Sequence, residues 1–71
     1  MTLRELLEYV NDGQRVRVTH KQDDGYGNVV TTMSAKLFRE TYNEHFLDAK
    51  IKNIGAEPEY VGGDSVITIS I

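Results

Sequence analysis

The chain has no cysteine, no charged tail and no apolar run long enough to cross a bilayer. Without thiols there are no disulfides and no thiolate metal site, so a reducing, intracellular setting is expected. The first residues already spell a capped helix and a strand with acids among them, which excludes a signal segment or membrane span at this point. A cytoplasmic protein that does not touch membranes is the expectation. Charge of one sign is also missing: the net charge is −3, with four basic and five acidic residues in 1–35 and four and six in 36–71. Mild acidity argues against nonspecific coating of DNA, yet it leaves room for a local basic patch.

The 71 residues make one domain, 1–71, with no room for a second. So short a chain buries a modest core, is sensitive to any loss from it, and would gain from a dimer interface. Thr2 and Glu5 form a capping box, with Met1 and Leu6 at staple positions. Leu3, Leu6, Leu7 and Val10 make one apolar stripe. Gly13 supplies a left-handed residue of the kind that ends helices. The pattern predicts a helix over 2–12.

Alternation predicts a strand over 15–21, with Val16, Val18 and His20 on one side and Arg15, Arg17, Thr19 and Lys21 on the other. A turn-rich stretch, 22–28, leads to a β-branched strand over 29–33. Ser34 caps a second helix, 34–45, with Met33 and Phe38 as staple. Its broad apolar face holds Leu37, Phe38, Thr41, Tyr42, His45 and Phe46. A third strand falls near 48–56, where Ile51 and Ile54 share a face only if a bulge intervenes. After a loop, 57–64, Val66–Ile71 alternates cleanly and offers Ile67, Ile69 and Ile71 to the core. The order α-β-β-α-β-β implies an α+β fold: a four-stranded, mostly antiparallel sheet with both helices on one face.

The other face is the sharpest candidate surface. Arg15, Arg17 and Lys21 point to it, and Lys50 and Lys52 join them if Ile51 faces the helices. Five cations on one side could receive an anion, such as a nucleic-acid backbone, a nucleotide or an acidic protein. A wet antiparallel face uses the same residue types with no ligand at all. The face has no pair of aromatics on which RNA bases could stack. Two loops each display a tyrosine among acids: Tyr26 beside Asp23 and Asp24, and Tyr60 beside Glu59. Tyrosine is a rigid, amphipathic contact residue, so these five are the candidate partner-binding residues; ordinary turns would look alike. The first loop lacks the spaced ligands of a calcium loop, and Gly25-Tyr26-Gly27 lacks the third glycine of a dinucleotide fingerprint. His20 and His45 show no spacing that brings them together on a metal, and His45 reads as a core or capping histidine. No residue pattern supports covalent or acid–base catalysis, so no catalytic, cofactor or metal site is expected.

The opening Thr2-Leu-Arg-Glu-Leu-Leu-Glu-Tyr-Val-Asn-Asp-Gly-Gln-Arg-Val-Arg-Val18, with Asp48-Ala-Lys-Ile-Lys-Asn-Ile-Gly-Ala56 and Ser65-Val-Ile-Thr-Ile-Ser-Ile71, resembles small uncharacterised proteins of phages and mobile elements in Gram-positive bacteria. The resemblance covers most of the chain as a pattern of helix and strands, and it transfers no site residues. It implies a non-enzymatic module that binds a protein partner, such as a host or defence enzyme; nucleic-acid or nucleotide binding by the basic face is the alternative. The uncharged stretch Ile67–Ile71 bears on self-association. At a sheet edge it would favour a weak homodimer, and in the middle it would allow a monomer.

Overall fold

Thr2 Oγ1 accepts the Glu5 N–H at 3.2 Å, and the Glu5 carboxylate accepts the Thr2 N–H at 3.1 Å, so the capping box forms. These bonds hold the Glu5 carboxyl below its ordinary pKa. The structure is a computed structural model and describes residues 1–22, 25–58, 61 and 63–71. Helix α1 spans Leu3–Glu8 and stops well short of residue 12. Gly13 is not its left-handed cap, because among the described residues only Gly25 and Gly27 have positive φ. Instead the Tyr9 and Val10 N–H groups tighten onto the Leu6 and Leu7 carbonyls. The Arg39 guanidinium donates to the Leu7 and Val10 carbonyls and pairs with Asp12. A distant arginine does the capping that the sequence assigns to a glycine.

Strands β1 (Arg15–Lys21) and β2 (Asn28–Ser34) form an antiparallel hairpin. Ser34 then caps α2 (Ala35–Thr41) by accepting the Leu37 N–H at 3.3 Å. The single second helix expected from periodicity breaks at Tyr42, whose backbone is extended. Asn43 restarts the chain as α3 (Glu44–Leu47), its side chain accepting the His45 N–H at 2.8 Å. An asparagine side chain offers the backbone a cap more readily than it continues a helix.

The segment before β3 is stitched to the chain start: the Leu3 N–H donates to Ala49 at 3.1 Å and the Ile51 N–H to Met1 at 2.9 Å. Strand β3 covers Asn53–Pro58 and β4 covers Ser65–Ser70. The sheet order is β2-β1-β4-β3. The two outer pairs are antiparallel, but the central pair, β1 with β4, is parallel. The fold is α+β with a four-stranded mixed sheet: two of its three pairs are antiparallel, in line with the expectation, and the parallel central pair is the departure from it. β4 is central, so the homodimer drawn from an exposed C-terminal edge loses its premise. Its composition suits the position: β4 is uncharged, and Val66 on one face and Ile69 on the other are both buried.

The core joins Leu3, Leu7, Val16, Val18, Ala35, Phe38, Leu47 and Ile69, with Ile51, Ile67 and Ile71 packed against it. The helices share one side of the sheet. The buried stripe of α2 is narrower than expected: Ala35 and Phe38 are buried and Tyr42 half-buried, while Leu37 and Thr41 on α2 and His45 on α3 are exposed. Helical cover also ends before β3. Ile54 stands on the helix side of β3, opposite Ile69, yet remains 52% exposed.

Candidate functional site

The open face of the sheet follows from register. Arg17 pairs with Thr32 on β2 and with Thr68 on β4, and Glu57 on β3 pairs with Val66. Directly paired residues share a face, so Arg15, Arg17, Thr19 and Lys21 look out beside Val30, Thr32, Thr68, Ser70, Asn53 and Glu57. Three of the five predicted cations therefore stand in line along β1. Lys50 and Lys52 do not follow by the same rule, because β3 begins only at Asn53 and strand alternation does not reach them. Both are exposed; Lys50 bridges to Thr2, and the Lys52 N–H donates to Ser70 at 2.8 Å.

Arg17 is not a free cation. Its Nε donates to Thr32 Oγ1 at 3.4 Å, and its Nη1 pairs with Glu57. The side chains of β1 and β3 thus meet over the strand between them. The line joining them crosses β4 between Thr68 and Val66, which helps explain why Val66 is fully buried on a face without helices. The sequence places Glu57 in a loop; only the register of β3 brings it to Arg17. Beside this strap, Gly55 leaves a hollow of about 120 Å³ lined by Asn53, Ile54, Thr68 and Ser70. A Cβ at Gly55 would sit 2.9 Å from Thr68 Oγ1, so a larger residue here would have to displace the Thr68 side chain. The hollow is well below the several hundred Å³ of a small-molecule pocket. A second hollow, about 300 Å³, lies at the starts of β1 and β4 between Gly13, Gln14, Arg15, Asp64 and Ser65. Gln14 Nε2 ties its floor by donating to the Arg15 and Ser65 carbonyls at 3.0 and 2.9 Å.

Tyr26 occupies the tip of the β1–β2 hairpin and is 81% exposed. Gly25 and Gly27 on either side have φ of +80° and +74°, a conformation that glycine adopts at no steric cost. Asp23, Asp24, Glu59 and Tyr60 lie outside the described residues. β1 and β4 run parallel, so the end of β1 that leads to Tyr26 and the start of β4 lie at opposite ends of the sheet.

The histidines meet through an intermediary. The His20 ring stacks on Phe46 at 4.2 Å, and His45 meets the same ring edge-on at 5.5 Å. His45 is exposed rather than core, because α3 is one turn long and turns it outward. Phe46 continues through Tyr42 to Phe38, at 5.5 and 4.9 Å. This ring series is helix-to-sheet packing. Among the described residues no group of three His, Asp or Glu could hold a metal ion, and no helix is long and apolar enough to cross a membrane. Comparison with known proteins found no family model, curated protein or solved structure that matches the chain.

Proposed function

We propose that this chain is a small non-enzymatic protein-interaction module of phage or mobile-element type, acting stoichiometrically on a host or defence protein. The observation that supports this reading is the presentation of Tyr26. Its side chain projects from the hairpin tip between two left-handed glycines. Tyrosine supplies large contact area with few rotatable bonds, which lowers the side-chain ordering cost of binding. The anion-binding alternative has less support, since Glu57 already neutralises Arg17 and the lysines 50 and 52 lie outside β3.

A photo-crosslinking residue at position 26, compared with one at exposed Glu40, tests this in lysate from a Gram-positive host. The expected result is one saturable adduct specific to position 26. With the captured protein purified, Tyr26→Ala should weaken a 1:1 complex about thirtyfold, the effect of losing an anchor worth roughly 2 kcal/mol. Unchanged affinity in Tyr26→Ala, or identical adducts from both positions, would sink the proposal.

A further inference from the structure

The two edges of this sheet are guarded unequally. β3 carries Gly55, Glu57 and Pro58, a set that discourages another strand from pairing. β2 carries none of these devices. Its seven residues, Asn28-Val-Val-Thr-Thr-Met-Ser34, are uncharged, lack proline and are rich in β-branched side chains. Val30 is 56% exposed on the open face.

The backbone of β2 is also turned outward at alternate residues. The Thr19 carbonyl accepts the Ile71 N–H at 3.0 Å, so Thr19 directs its backbone groups to the β4 side, away from its β2 neighbour Val30. At the hairpin end, the Gln22 N–H donates to the Gly27 carbonyl at 3.4 Å. Bonded and non-bonded pairs alternate along an antiparallel ladder. Counted from Gln22–Gly27, the pairs His20–Val29 and Val18–Thr31 are bonded, and Thr19–Val30 and Arg17–Thr32 are not. Both observations leave Val30 and Thr32 with N–H and C=O groups aimed off the sheet. No backbone group of the described residues bonds them on that side.

We infer that β2 pairs with β2 of a second copy of this chain, antiparallel about a twofold axis through Thr31. In that register Val30 meets the partner's Thr32 and Asn28 meets the partner's Ser34, so outward amides face outward carbonyls along all seven residues. The twofold axis keeps each side chain on its own face: Val30 beside threonine on the open side, Val29 beside methionine on the helix side. No like charges are opposed, because β2 has no charge. The cations of the two β1 strands stand three strand spacings apart, about 14 Å, beyond the roughly 10 Å screening length of 0.1 M salt. A seven-residue strand runs only about 23 Å. Such a seam buries less than the roughly 800 Å² per partner of a stable complex, so the association is weak.

Sedimentation equilibrium of the full chain from about 10 μM to 1 mM reads this range of affinity. The expected mass climbs from 8.0 kDa toward twice that, whereas Val30→Lys, charged at the exposed edge, stays monomeric throughout. The absence of native cysteine allows a second reading with single-cysteine variants. Thr31 would face its own copy in a non-bonded pair at about 4.5 Å between Cα atoms, within disulfide range. Oxidised Thr31→Cys should therefore dimerise at least tenfold faster than Ala56→Cys on the opposite edge. A constant mass, equal oxidation rates, or a folded Val30→Lys that associates like the parent would overturn the inference. Should Val30→Lys fail to fold, the cysteine comparison decides alone.

Discussion

At the scale of single residues, Tyr42 is where packing and polarity conflict. Its ring closes the gap between Phe38 and Phe46, but its hydroxyl is shielded from water and has no hydrogen-bonding partner among the described residues. Burial raises the phenol above its ordinary 10.0, and the nearby Thr31 side chain, too poorly placed for a full hydrogen bond, opposes this more weakly. A buried hydroxyl without a partner costs free energy that the ring contacts must offset. Tyr42→Phe keeps the ring and should stabilise the fold by about 1 kcal/mol, a rise of roughly 4–8 °C in Tm for a domain of this size. The sign of the pH effect follows from the raised value. The unfolded chain releases this proton near pH 10 and the folded chain only above it. Stability linked to Tyr42 is therefore complete below pH 10 and is lost as pH rises through the folded value. The gap between Tyr42→Phe and the parent should widen above pH 10 in thermal melts; a gap that closes there would contradict burial as the cause. Local sequence reveals a capping box because both partners lie three residues apart. It cannot reveal an unpartnered hydroxyl, which depends on what the sheet brings overhead.

At the scale of elements, the sequence is legible wherever structure is local. β1 matches its expected span, and Thr2 and Ser34 cap the helices assigned to them. It misleads where a distant group decides an end. Gly13 looks like a stop for α1, yet the stop is Arg39, which helical periodicity along α2 places on a polar face. The guanidinium joins the two helices by holding the last carbonyls of α1. The adjoining loop is held as well: the Ala35 and Lys36 N–H groups donate to Gln14 and Asp12 at 2.8 and 3.1 Å. A hydrogen bond to a charged group is worth about 1.5–3 kcal/mol. Arg39 is partly exposed and Asp12 mostly so, and solvent screens their ion pair. Arg39→Met should then cost about 1–2 kcal/mol, and Asp12→Asn less than about 0.5. Hydrogen exchange locates the loss: the Tyr9 and Val10 amides should exchange faster in Arg39→Met while β1 and β4 amides keep their protection. Equal costs for the two variants would make the ion pair, not the carbonyl bonds, the link between the helices.

At the scale of the whole molecule, strand order is what local patterns carry least. Pairing β1 with β4 joins segments about fifty residues apart, and no turn signal marks a contact so distant. The clues are compositional: Gly55 and Pro58 suit an edge, and an uncharged Val66–Ile71 suits a centre. The same order fixes the candidate surfaces. It sets the Tyr26 hairpin and the start of β4 at opposite ends of the sheet, lays Arg17 across to Glu57, and leaves β2 as an unguarded edge. It also decides which of two paired isoleucines matters for stability. Ile54 and Ile69 are direct partners on the helix side of the sheet, of equal size and in adjacent strands. Ile69 is 2% exposed beneath the helices, while Ile54 is 52% exposed where their cover has ended. Large-to-small changes cost about 2–5 kcal/mol in a filled core, where a cavity adds to the lost burial. Ile69→Ala should fall in that range, as should Leu7→Ala above it. Ile54→Ala leaves no cavity and should cost less than about 1 kcal/mol. Against a total stability on the order of 5 kcal/mol, the first two variants largely unfold in urea-free buffer and the third does not. Chemical denaturation of all three reads this directly. Costs that match at positions 54 and 69 would mean that the helices reach β3, and the sheet would then have cover on one whole side.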